Sequence, residues 1–356
     1  MSIRFSLICL ILAGATALAG CAAPTAPLMV TPAADQPAPD AAPAATPAAT
    51  PAALTPVKIG LGYIPSVQFA PFYVAQAKGY FAEQGLEVQF LHGAETDFLK
   101  LAGVNQMEFV VASGDQVILG RAQGLPLTYV LAWYRKFPVT VMSLASQGLD
   151  TPQALEGKRV GIPGMYGASL VAWKALVYAA GLDESKVKLE SIGFTQAAAV
   201  SEGRVDAALD YVANGPVQLR LAGKEVNVIP VSDYIDLPSN GLITNQQTID
   251  QQPELVQRMS NALLAGIRYT LAHPDEAFAL SLQAVPEAGG SNEAASRAVF
   301  DASLELWQAA DADIGRSDPA AWQEAARFMR ATGLIETDVA AETLFTNQFI
   351  DAAPAP

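Results

Sequence analysis

Six aromatic residues, Tyr63, Phe69, Trp133, Tyr134, Tyr166 and Tyr211, stand at or near the ends of predicted strands rather than inside predicted helices. Rings in such places do one kind of chemistry well: they stack on the faces of a flat solute. In open α/β sheets the carboxyl ends of strands are also where ligands bind. Gln68, Ser113, Asp210 and Asn214 lie close to these rings in the sequence and offer the few polar groups that orient a bound molecule. Core packing explains any one ring at least as well; six across two halves of the chain are better explained together by a ring-lined cleft. The joint "YIPSVQFAPF" makes the same point. A bare connector is short, polar and built from turn residues. This one is aromatic, with Ser66 and Gln68 as its polar groups, and suits the wall of a pocket.

Groups for catalysis are scarce. Of the two histidines, His92 falls at a strand end and His273 before a proline, and neither has a partner one helical turn away. The two cysteines, Cys9 and Cys21, both lie at the N-terminal end, so no Cys–His cluster is available for zinc. Neither a GxSxG turn nor a phosphate-binding P-loop occurs. "GIPGMYGAS" follows a strand and opens a helix, but it lacks the G-x-G-x-x-G spacing and has no lysine after its glycines. Two readings of it stand side by side. Its glycines simply permit a turn, or the N–H groups of Ala168 and Ser169 face a bound anion or carbonyl. The residues predict no catalytic centre, no metal site and no cofactor.

The elements that must position these groups alternate strand and helix from residue 57. "VKIGLGYI", "LEVQFLHG", "EFVVAS", "LTYVLAWY" and "VTVMSLAS" read as strands, and the segments between the first four read as helices. One of those helices is expected to start at Thr96 as its cap, with Asp97 in the first turn. A second such unit begins at "GKRVGIPGMYGAS" and ends with the strands "RVDAALDYVA" and "VNVIPVS". Units of this kind predict an α/β fold with mostly parallel sheets. The last third is helical. Pro253 suits a first helical position, and Leu255, Met259, Leu263 and Ile267 form an apolar stripe.

The formal net charge of −14 argues against nucleic acid and against anionic lipid as a partner surface. At the N-terminus, "MSIRFSLICLILAGATALAGC" carries Arg4, then an uncharged apolar run closed by small residues. The run is too short for a membrane span and reads as a secretory signal over 1–20. Its "LAGC" ending resembles a bacterial lipobox, which makes Cys21 the expected lipidated residue. The stretch 21–56, dominated by Ala, Pro and Thr, has almost nothing to bury and reads as a disordered tether. An exported chain with no further thiol has no disulfide framework, so its core alone must hold it.

"KIGLGYIPSVQFAPFYVAQAKGYFAEQGLEV", "SGDQVILGRAQGLPL", "LEGKRVGIPG" and "EGRVDAAL" resemble, in order and in separation, the solute-binding proteins of nitrate, sulfonate, taurine and thiamine-pyrimidine ABC importers. The resemblance covers about residues 57–270. It implies a two-lobe, type II periplasmic-binding-protein-like α/β fold, hinged on two crossing strands, with solute enclosed between the lobes and the C-terminal helices packed on lobe I. It places lobe I at 57–148, lobe II at 149–235, and the return to lobe I at 236–356. The crossings would then fall near Ser146 to Thr151 and Ser232 to Gly241. It also implies a monomeric receptor held by its lipid at the extracytoplasmic face of the cell membrane, with an ABC permease as partner.

The pyrimidine branch of this family carries a P-N-x-N-H-like loop after the first strand. Here the matching run is Pro65, Ser66, Val67, Gln68 and Phe69, so a ring stands in place of the histidine. Fungal relatives that synthesise the pyrimidine carry a cysteine-rich iron motif, which this chain lacks. Fewer polar contacts and more rings suit a larger, flatter solute, and within the family the chain most resembles riboflavin-binding receptors. Riboflavin is then a transported ligand rather than a cofactor. A thiamine-pyrimidine precursor or a sulfonate is the alternative solute, and an exported enzyme the alternative class. The residues expected at the ligand are Tyr63, Gln68, Phe69, Ser113, Trp133, Tyr134, Tyr166, Ser169, Asp210, Tyr211 and Asn214.

Overall fold

The computed structural model describes residues 53–353. Cys21, the expected signal and nearly all of the expected tether lie outside the described residues. The chain builds β1 (Thr55–Leu61), β2 (Leu86–His92), β3 (Phe109–Ser113) and β4 (Leu127–Ala132) in a first sheet. It then builds β5 (Val139–Leu144), β6 (Arg159–Ile162), β7 (Lys188–Ser191), β8 (Ala207–Tyr211) and β9 (Val226–Pro230) in a second, before β10 (Asn240–Asn245) returns to the first.

The two sheets share one plan. Their strand orders are β2-β1-β3-β10-β4 and β7-β6-β8-β5-β9. In each, the first three strands run parallel, and the fourth is antiparallel to both neighbours. That fourth strand is always the one that has just arrived from the other lobe. β3 and β10, inside the sheet, and β4, at its edge, are all buried along their whole length.

The lobe boundary is corrected by this topology. The chain leaves the first sheet after Ala132 and enters the second at Val139, so β5 belongs to lobe II and the first crossing is 133–138, not near Ser146 to Thr151. Two apolar strands joined by the short "WYRKFP" look the same in sequence whether they form a hairpin or pass between sheets. The second crossing runs over 231–239. The first strand also begins two residues earlier than expected. Thr55 pairs with Leu86, and Pro56 is tolerated because β3 borders β1 only from Ile59 onward, so its missing N–H leaves no bond unmade.

The C-terminal helices pack on the first lobe: Pro253–Ala272 and Pro274–Ala284 both lie against the helix Ala70–Ala77. Two further helices also reach the second lobe. Glu293–Trp307 meets Gly215–Leu221, and Pro319–Ala331 meets Gly167–Ala180, with the rings of Tyr178 and Phe328 5.8 Å apart. The free edge of β4 is closed by chain from this region, through bridges from Tyr129 to Phe345 and from Ala132 to Gly315. No helix of the described residues is long and apolar enough to cross a membrane.

Candidate functional site

The carboxyl ends of β1, β2 and β3 in one lobe and of β8 in the other face a common cleft. On the first lobe, Ser66 opens the turn Val67–Phe69 by accepting from the Gln68 N–H at 3.3 Å, and Pro71 then starts the helix Ala70–Ala77. This geometry sends Gln68 toward the second lobe and Phe69 inward. The Gln68 amide donates to the side-chain oxygen of Asn214, a direct bond between lobes. The Tyr211 hydroxyl makes a second, donating to Asn240 Oδ1 at 3.3 Å.

Carboxyl groups dominate the floor. Glu95, just past β2, accepts from the Ser113 N–H at 3.0 Å, and the Ser113 hydroxyl donates to Asp115. Gln116 donates to the other oxygen of Asp115. Glu95 as a residue is only half-buried, yet its carboxyl is enclosed. Burial first, and then the charge of Asp115, push it up to about 8. Burial lifts Asp115 to about 6 against the bonds from Ser113 and Gln116. Across the cleft, burial raises Asp210 to about 7 although the N–H groups of Tyr211 and Gly215 reach it at 2.7 and 3.1 Å.

Two glycines make room for these acids. A Cβ on Gly62 would lie 2.3 Å from Cγ of Glu95, and one on Gly215 would lie 2.4 Å from Oδ2 of Asp210. His92 lies beneath the Tyr63 loop with both ring nitrogens in contact. Its Nδ1 faces the Tyr63 carbonyl at 3.1 Å and can only donate there, leaving Nε2 to accept from the Tyr73 hydroxyl at 3.3 Å. Burial holds its pKa below the ordinary value. It braces the Tyr63 loop from below.

Of the residues expected at the ligand, the structure brings Tyr63, Gln68, Ser113, Asp210, Tyr211 and Asn214 together; burial and the charge of Asp210 both raise the Tyr63 hydroxyl. Phe69, Trp133 and Tyr134 stand behind them, at 5%, 2% and 4% exposure, in the core of the first lobe. Trp133 is ringed by Phe69, Phe72, Tyr134 and Trp307, with centroids 4.6–5.6 Å away. Tyr166 is the opposite case, 61% exposed on the loop before the helix Gly167–Ala180, whose first turn holds Ser169. Met165, its neighbour in the chain, and Phe194, past the end of β7, which pairs with β6, are exposed as well.

Sequence reasoning missed Glu95, Asp115 and Asn240. Glu95 was hidden by Thr96, a residue type that caps helices; the helix in fact runs Glu95–Gly103 with Ala94 as its cap. Its place just after β2 was the available signal. Asp115 follows Ser113 directly at the start of the helix Gly114–Ala122 and reads as an ordinary first-turn acid. Among the described residues, no group of three or more His, Cys, Asp or Glu is arranged to hold a metal.

The profile of the NMT1/THI5 like family matches residues 66–277. The chain belongs to that family. It is 42% identical over 339 residues to the riboflavin-binding protein RibY of Chloroflexus aurantiacus, covering 94% of each chain. It is 30% identical to the formylaminopyrimidine-binding protein of Halalkalibacterium halodurans, over 83% of this chain and 91% of that one. In structure it is similar to the alkanesulfonate-binding protein SsuA from Xanthomonas axonopodis pv. citri bound to MOPS, with a TM-score of 0.65 at 15% identity, over 82% of this chain and 98% of that one. These likenesses make this family member a solute-binding receptor, with the two-lobed fold of periplasmic binding proteins.

The Gln68–Asn214 bond joins the two lobes. One hydrogen bond of this kind contributes about 1 kcal/mol net, enough to move an open–closed balance about fivefold. Gln68→Ala is therefore expected to enlarge the radius of gyration of the unliganded receptor in X-ray scattering. Superimposable curves for wild type and variant would show that the bond carries no closure energy.

Proposed function

We propose that this chain is the riboflavin receptor of an ABC importer, closing its two lobes on the flavin and delivering it to a membrane permease. The observation that carries this reading is the 42% identity to RibY across 94% of both chains. The chemistry of the cleft supports it. Its mouth offers exposed Tyr166, Met165 and Phe194 to the faces of a flat ring, and its floor offers Gln68, Asn214 and carboxyl groups to a polyhydroxylated tail. The alternative solute is a formylaminopyrimidine, which the relative at 30% identity favours. Phe69 argues against it, since the matching residue of pyrimidine receptors is a histidine.

We also infer that Cys21 is acylated and holds the receptor at the extracytoplasmic face of the membrane, the Ala/Pro/Thr-rich segment giving the folded body reach. Cys21→Ser should then release the protein from membranes or leave its signal uncleaved; equal membrane retention with normal processing would remove the anchor. Protein purified from its own cells tests the solute. Native mass spectrometry should find flavin bound and the preparation should be yellow, whereas a colourless protein carrying a pyrimidine would move the assignment to the alternative.

A further inference from the structure

The loop "IPGMYGAS", between β6 and the helix Gly167–Ala180, carries the exposed ring of Tyr166 and, two residues before it, Gly164. A Cβ on Gly164 would lie 2.3 Å from Cε1 of Tyr166, 2.8 Å from Cζ and 2.9 Å from Cδ1. Non-bonded carbons rest at about 3.5–4.0 Å, so any side chain here would displace the ring. Both ring neighbours of Cε1 are almost as close as Cε1 itself. The ring therefore lies over the glycine with a face, not an edge, toward its Cα.

The backbone beneath the ring is fixed. β6 and β7 run parallel, and their pairing continues past both strand ends. The Ile162 carbonyl accepts from the Ile192 N–H at 2.9 Å, and the Pro163 carbonyl from the Gly193 N–H at 3.1 Å. On the other side Tyr166 is itself the extended residue before the helix (φ −159°, ψ 170°). One face of its ring rests on this pinned loop, and its exposure leaves the other open. β6 is also parallel to β8, so the loop shares a sheet edge with Asp210 and Tyr211, near Asn214, which reaches Gln68 of the first lobe.

We propose that Gly164 is a positioning residue of the riboflavin site: lacking a side chain, it seats the Tyr166 ring as a one-sided platform on which the isoalloxazine stacks. The inference rests on the riboflavin reading. A ring seated in advance binds a flat solute without first having to be ordered. Unlike Gly167 (φ +70°), Gly164 does not adopt the left-handed backbone. Alanine therefore suits the chain there, and the three nearest atoms it meets all belong to the Tyr166 ring. That ring is exposed and can swing away, so the damage falls on the ligand rather than on the fold.

The test is a double-substitution cycle on the full-length receptor with riboflavin. Gly164→Ala should weaken binding at least about fivefold and leave the bound flavin less quenched, with the urea midpoint unchanged. In a Tyr166→Ala background the same change should cost less than about twofold, because the ring it displaces is gone. Equal losses in both backgrounds, or no loss in either, would overturn the platform while leaving the riboflavin reading in place. Glycine-labelled NMR without ligand tests the seat by itself. The ring face should shift the Gly164 α-protons upfield in wild type but not in Tyr166→Ala; unshifted protons in wild type would overturn the seat. Wild type that shows the shift and binds no riboflavin would remove the riboflavin reading, and the platform with it.

Discussion

Trp133→Ala should lower the stability of the first lobe by about 3–5 kcal/mol, the range for truncating a large ring in a packed core. The indole is almost wholly enclosed, and its removal strips contact from Phe69, Phe72, Tyr134 and Trp307 at once. Urea unfolding measures this directly. Tyr166→Ala is the matched comparison. Its ring is exposed, so stability should stay within about 0.5 kcal/mol, while riboflavin affinity falls at least about tenfold for loss of a stacking partner. The two substitutions thus separate a ring that builds the wall from a ring that meets the ligand. A Trp133→Ala protein as stable as wild type would mean that the cluster is not a core.

Stability should fall by on the order of 2 kcal/mol between pH 6.5 and 8, chiefly through Glu95. An ordinary glutamate titrates near 4.5, and burial has moved this one to about 8. Between those values the folded chain holds a proton that the unfolded chain has lost. The stabilisation is therefore complete below the lower value and is lost as pH rises through the upper one. Asp210, raised to about 7, acts in the same direction. His92, lowered from 6.5, acts in the opposite sense and only on the acid side, which is why the comparison starts at pH 6.5. Surface carboxylates are already ionised across this window. Glu95→Gln keeps the shape and removes the titration, so it should flatten the slope and stabilise the protein at pH 8. A slope unchanged in Glu95→Gln would place the titrating group elsewhere.

The fold was legible because its elements are locally explicit. Apolar runs such as "FVVAS" and the stripe of Leu255, Met259, Leu263 and Ile267 state their own periodicity, and the buried strand and long helix that result agree with it. The first crossing was not legible. Whether Val139 pairs beside β4 or beside β8 depends on the partner strand, which lies some seventy residues downstream. The site divides the same way. Rings at strand ends announced a cleft, and Gln68 and Asn214 do meet across it. Exposure could not be read from position: Trp133 and Tyr166 both sit at strand ends, and one is enclosed while the other faces solvent. The acids were hardest. Glu95 and Asp115 are common first-turn residues, and only the approach of Ser113 turns them into a buried pair.

One measurement tests the central claim most directly: titration of the purified receptor, side by side, with riboflavin and with a formylaminopyrimidine, following flavin fluorescence and heat. The riboflavin proposal predicts tight one-to-one binding with strong quenching, because a tyrosine stacked at the cleft mouth donates an electron to the excited flavin. Tight pyrimidine binding with flavin emission unchanged would contradict it.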